Sequence, residues 1–148
     1  MVAPVSLKSE IADAIVARIA TVPEVVTISF DKIRLFVDDF REHEFPVVQI
    51  YDVSQDITHE RGRILTNWYL ALELLMKSSV SATVDQKSLW DLQHKIERTL
   101  WEIPNLDIPG VVHLVYIGSN TDLHLLEPIY FARMDFAVRF YQPLVAEC

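Results

Sequence analysis

Apolar residues recur along this chain in two rhythms, and the changes of rhythm divide it into elements. Leu7, Ile11, Ile15 and Ile19 return every fourth residue, with Ala12, Ala14 and Val16 widening the stripe. That spacing predicts an amphipathic helix. Ser6 is placed to cap it, and Glu10, one residue late for a capping box, still suits the positive end of the helix. The pattern stops near residues 21–23, at Pro23. Residues 25–36 alternate loosely and predict a short strand followed by an irregular piece. Residues 47–53 read as a strand, with Pro46 at its start, where a missing N–H does least harm. The polar stretch SQDITHERG (54–62) reads as a connection.

The longest alternation runs over residues 63–77. Ile64, Trp68, Leu70, Leu72, Leu74 and Met76 share one parity, and Asn67, Tyr69, Ala71, Glu73 and Lys77 the other. This is far beyond the usual strand of about 5–6 residues, so it should project past the core. Thr83 with Gln86 then matches the S/T-x-x-E/Q capping box. Leu89, Leu92, Ile96 and Leu100 follow at helical spacing, with Trp90 and Trp101 beside them, and Pro104 ends this second helix. Residues 111–117 predict a strand, GSNTD (118–122) a turn or loop, and 129–141 a second long strand. In the last of these, Tyr130, Ala132, Met134, Phe136, Val138 and Phe140 face one way and Arg133, Asp135 and Arg139 the other. Strands not separated by helices favour antiparallel pairing. The expected fold is therefore α+β, a mostly antiparallel sheet with two helices packed on one face.

The totals narrow the function. At 148 residues the chain is expected to form a single domain, 1–148. Half of it is hydrophobic, far from a disordered profile. A net charge of −8, with Arg61 and Arg63 the densest basic spot, argues against a primary nucleic-acid binder, which needs clustered Lys and Arg on phosphates. The single cysteine, Cys148, forms no internal disulfide. MVAPVSLKSE lacks the basic start and apolar core of a signal peptide, and no apolar run approaches the roughly 20 residues of a membrane span. A soluble protein made in a reducing cytoplasm is expected.

Catalytic signatures are sparse. Gly62, Gly110 and Gly118 fit neither a Walker loop nor a dinucleotide fingerprint. None of His43, His59, His94, His113 and His124 forms the pair that sets two imidazoles on one helix face. In REHEFPVVQIYD (41–52), His43 lies between Glu42 and Glu44, and His59 lies beside Glu60. If the two segments met, a His/Glu site could assemble; the reading taken is solvated loop residues, with EHEF as the polar lip before an edge or near-edge strand. His94 is expected on the outer face of the second helix. Asp38 and Asp39 have no neighbouring base, which acid–base work would require. Trp68, Trp90 and Trp101 read as core or interface aromatics. No enzymatic activity, cofactor or metal is expected.

Two features exceed the needs of a monomeric core. The strands at 63–77 and 129–141 are longer than two helices cover, and their second faces mix Leu65, Tyr69, Leu75, Ile129, Phe131 and Tyr141 with a few charges. A half-apolar second face of that kind usually meets another protein surface.

The sequence pieces, in order, are IADAIVARIA (11–20), EFPVVQIY (44–51), NWYLALELLMK (67–77), LWDLQHKIERTLWEIPN (89–105) and FARMDFAVRFYQP (131–143). In this layout the chain resembles the tail terminator (tail completion) proteins of long-tailed, lambda-like siphophages. The resemblance spans nearly the whole chain, and AVRFYQP is its most distinctive piece. It implies a structural virion protein, usually a hexameric ring. Such a ring caps the tail tube, ends tube polymerisation and offers a surface to the head-completion or connector protein. It implies assembly in the host cytoplasm and then a place at the head-proximal end of the tail, with no membrane and no specific nucleic-acid binding, although DNA passes through the ring. No catalytic residues come with it. The expected subunit or tube interface is Leu65, Trp68, Tyr69, Ile129, Phe131 and Tyr141. Expected lumen or tube-facing loops are 54–62 and 118–127, with Asp56, Glu60, Asp122 and Glu127. Another neck or head–tail joining component, or a small-ligand-binding α+β domain using the His43/His59 region, are the alternative readings.

Overall fold

The computed structural model describes residues 6–30, 44–77, 86–103, 105–122 and 129–143. Helix α1 (Leu7–Ile19) starts where the sequence pattern places it. Ser6 is its cap, and the Ser6 hydroxyl accepts the Ser9 backbone N–H at 3.1 Å, satisfying one of the free donors of the first turn. Ile11, Ile15 and Ile19 are fully buried. Strand β1 (Thr27–Ser29) is short, as expected from the loose alternation. Strands β2 (Val47–Glu60) and β3 (Arg63–Lys77) form a long hairpin, followed by α2 (Gln86–Trp101), β4 (Val111–Asp122) and β5 (Ile129–Pro143). The candidate cap Thr83, the stop Pro104 and the acids Asp38 and Asp39 lie outside the described residues.

The strand order is β1-β2-β3-β5-β4. Only β1–β2 is parallel; β2–β3, β3–β5 and β4–β5 are antiparallel. Helices α1 and α2 share one core with one face of the sheet. Ile11, Ile15 and Ile19 of α1 and Leu89, Leu92, Ile96 and Leu100 of α2 pack with Trp68, Leu70, Leu72, Leu74, Met134, Phe136, Val138 and Phe140. The α+β expectation therefore holds, helices on one side. Arg18 ties the two helices, donating to the Thr99 carbonyl at 2.9 Å and to Glu102 at 3.1 Å, and Lys95 meets Glu24 at 2.8 Å.

Two loop expectations are corrected. Residues 54–60 continue strand β2, paired from Ser54–Tyr69 to Glu60–Arg63, and only Arg61 and Gly62 turn the chain. Gly62 adopts φ +71°, in the left-handed region that glycine tolerates and that so short a turn demands. Likewise β4 runs on through 118–122 to Asp122 instead of ending at residue 117. In β2 the polar composition misled because residues 54–59 are exposed on both faces even where their partners on β3, Trp68 and Thr66, are buried. Alternation of apolar with polar is then no longer required, and the ladder is held by its partner strand.

Candidate interaction surface

The sheet face opposite the helices is built from the second parity of each strand. On β3 and β5 it carries Leu65, Asn67, Tyr69, Ala71, Glu73 and Leu75 beside Phe131, Arg133, Asp135, Ala137, Arg139 and Tyr141. Part of it is closed by the chain itself: Val47 and Leu75 are buried, with Phe45 and Phe131 packed on them. The rest is a mosaic of half-buried aromatics and paired polar groups. The Tyr51 hydroxyl donates to Glu73, and burial, followed by that bond, pushes the Tyr51 phenol well above its ordinary value. The Tyr69 hydroxyl donates to Asp56 at 2.9 Å, and that bond is the main cause of its upward shift. Arg133 meets Asp135 at 3.1 Å, and Arg139 donates to Asn67 at 2.9 Å. The Arg63 guanidinium lies 3.9 Å from the centre of the Tyr141 ring and pairs with Glu60 at 3.1 Å.

The expected interface residues thus separate. Leu65, Tyr69, Phe131 and Tyr141 share this second face, half-buried. Trp68 does not belong with them. It is 3% exposed, on the helix-covered face, against Phe30 at 6.2 Å between ring centres. Its indole N–H donates to Asp52 at 2.9 Å, and Lys8 lies over the ring. The parity of β3 already put Trp68 with Leu70 and Leu72, and burial in the monomer follows from that. Ile129 is paired with Lys77 at the start of β5. Asp56 and Glu60 stand on strand β2, not in a loop, opposite Asn67 and Arg63. Asp122 closes β4 opposite Phe131. Asp56, Glu60 and Asp122 all take second-face positions, and Asp56 and Glu60 are engaged by Tyr69 and Arg63. Glu127 and His43 lie outside the described residues, so the His43/His59 juxtaposition does too.

Among the described residues, open cavities mark the surface at several places. One of about 400 Å³ lies between Val53 and Ile117 over Tyr69 and Asp135. A second, of about 330 Å³, shares Val53 and adds Tyr51, Glu73 and Arg133. A third, of about 250 Å³, is lined by His94, Glu97, Arg98 and Trp101 of α2 and Tyr116 of β4. Here the Trp101 ring meets Tyr116 edge-on at 5.3 Å. Burial pushes the Tyr116 phenol up; a hydrogen bond with Ser119 lowers it and one with Glu97 raises it again. Among the described residues, no group of three His, Cys, Asp or Glu side chains could hold a metal ion, and no helix is long and apolar enough to cross a membrane.

Sequence reading placed strands at 47–53 and 111–117 but did not single out their exposed apolar residues. Of the large apolar side chains exposed among the described residues, Val53 and Ile57 stand on β2 and Val112, Val115 and Ile117 on β4. The signal lay in VVHLVYIGSNT (111–121), which holds no charged residue.

No family model matches the chain, and no curated protein does. Among solved structures, a chain of the virion of a native gene transfer agent (GTA) particle shares its fold. That likeness has a TM-score of 0.64 at 7% sequence identity and covers 94% of this chain and 100% of the other.

Proposed function

We propose that this protein is a structural component of a phage-like virion: a tail terminator that forms a ring, usually of six copies, on the head-proximal end of the tail tube. The ring ends tube polymerisation and offers a surface to the head-completion or connector protein. The carrying observation is a fold matched, from end to end of the other chain, to a protein of a virion particle. The second face supports it: among the described residues, Leu65, Tyr69 and Tyr141 stay only half-buried there, outside the helix-covered core. So do the exposed apolar residues Val53 and Ile57 on β2 and Val112, Val115 and Ile117 on β4. In this reading the chain performs no catalysis and binds no cofactor. It is assembled in the host cytoplasm and ends in the virion, and DNA passes without a specific site.

The test is the mass of the purified protein in solution by light scattering, alone and with tail tube protein. A closed species of about six copies, free or on tube ends, is the expected result. A protein that stays monomeric and leaves tube length unchanged overturns the reading.

A further inference from the structure

Strand β4 is an outer strand of twelve residues whose first eleven, 111–121, carry no formal charge. Natural sheets protect such edges with Lys, Glu or Pro, because unpaired N–H and C=O groups recruit another strand. Bulges at Val112 and Ile117 curve this edge, but both bulge residues are themselves exposed and apolar. Beside it, Trp90, His94, Glu97 and Trp101 recur at i, i+4, i+7 and i+11 along α2, and both tryptophans are substantially exposed. The cavity between α2 and Tyr116 opens on this side. Trp, Tyr and Arg are the residues that anchor interfaces.

The other edge of the sheet complements it. Among the described residues, β1 covers β2 only at Val47, Val48 and Gln49, and no other strand lies on that edge of β2 from Ile50 to Glu60. That stretch carries Asp52, Asp56 and Glu60, so two β2 edges would set like charges together, whereas β2 against the uncharged β4 would not. In strand order β2-β3-β5-β4 the two outer strands run in opposite directions, so a second copy placed beside the first continues the sheet with antiparallel pairing.

The register of that pairing is constrained. With no offset, Asp122 stands at the level of Phe131, Leu75 and Val47, where β1 already lies. Only even offsets keep the two faces of a sheet aligned. Two residues bring Asp122 to Gln49, still covered by Ser29 of β1. Four bring it to Tyr51, clear of β1, and the same four carry Tyr116 from the Phe136 level to the level of Phe140, Thr66 and Ile57. An offset of four residues is ~13 Å at 3.3 Å per residue, close to the ~16 Å step that four strands tilted ~40° take in a closed ring.

We infer that copies of this chain join through their sheet edges, β2 of one along β4 of the next, with Ile57 of the hairpin seated in the neighbour's α2–β4 cavity against Trp101 and Tyr116. Ile57 is 49% exposed and paired with Thr66, so it points to the helix side of the sheet, as the cavity does. Its environment in the monomer is solvent; in the ring it is a socket of about 250 Å³ walled by two aromatics. The second face is thereby left free for the lumen and the tube. This inference rests on the ring reading.

Ile57→Asp tests it directly, since Ile57 is half-exposed on β2 and lies outside the buried core. Circular dichroism should be unchanged, while association, read by light scattering alone and with tube protein, should weaken at least ~30-fold, as for loss of a buried anchor. A second variant carries Cys148→Ser, Ile57→Cys and His94→Cys, and is treated with a short bismaleimide. Covalent ladders up to the full ring support the inference. Full-mass rings from Ile57→Asp, together with rings of the cysteine variant that give no ladder, overturn it and leave the ring reading standing. An unmodified chain that forms no ring in either condition overturns both.

Discussion

The two faces of strand β3 are made from alternate residues of one sequence, yet they live in different worlds. On the helix side Trp68, Leu70, Leu72 and Leu74 are buried against α1, α2 and β5. On the other side Asn67, Tyr69 and Glu73 stay half-exposed and are occupied by Arg139, Asp56 and Tyr51. Both faces are ordered, but by different forces. The first is held by apolar area removed from water; the second, apart from the Val47–Leu75 cluster with Phe45 and Phe131, is held by polar pairs that lie near solvent and contribute little to net stability. A face that contributes little to folding can be given over to assembly without endangering the monomer.

This contrast can be broken by substitution. The largest effect is expected from Phe140→Ala, on the helix side of β5 and fully buried. It should cost about 3–5 kcal/mol, the sum of lost transfer energy and residual cavity, measured by urea unfolding. Arg18→Ala removes the bond to the Thr99 carbonyl and the Glu102 ion pair that hold α1 to α2. A loss of about 1–2 kcal/mol is expected, the hydrogen bond to the carbonyl supplying most of it because the ion pair is largely exposed.

On the opposite face, Leu65→Ser with Tyr69→Ser should change unfolding stability by about 1 kcal/mol or less. The same variant should lose assembly on tube ends, measured by light scattering with tube protein. Assembly of undiminished mass would show that the bare face meets no partner.

The smallest effect concerns pH. Tyr51 titrates above its ordinary 10.0, chiefly through burial and then through Glu73. Above pH 10 the unfolded chain therefore releases this proton before the folded one does. The folded state then binds more protons, and stability falls as pH rises. Tyr51→Phe should flatten that alkaline decline in thermal melts taken from pH 9 upward; an unchanged slope would mean that the second face contributes nothing through this pair.

The helices were legible because their signals are local. Ser6 and the four-residue spacing of Ile11, Ile15 and Ile19 contain everything α1 needs, and Leu89, Leu92, Ile96 and Leu100 do the same for α2. The parity of β3 and β5 was equally plain, because one buried face imposes period two. The same signal fails along β2 and β4. Residues 54–59 are exposed on both faces, and residues 118–122, at the other end of the sheet, are Gly, Ser, Asn, Thr and Asp, so hydrophobic patterning records little and polar composition imitates a loop. Trp68 is buried on the helix-covered face, apart from the other expected interface residues: large aromatics suit both cores and interfaces, and parity, not residue type, sorts them by face.

What the residues determined by themselves is the set of elements, their faces and the α+β class, since each follows from neighbours in sequence. Which strands lie side by side was decided only in three dimensions. Among the described residues, the order β1-β2-β3-β5-β4 makes β4 an edge, leaves the other side of β2 without a strand neighbour beyond Gln49, and sets Trp101 beside Tyr116. Those juxtapositions come from long-range pairing that joins residues up to 80 positions apart, Arg63 with Pro143, and no local rhythm encodes them.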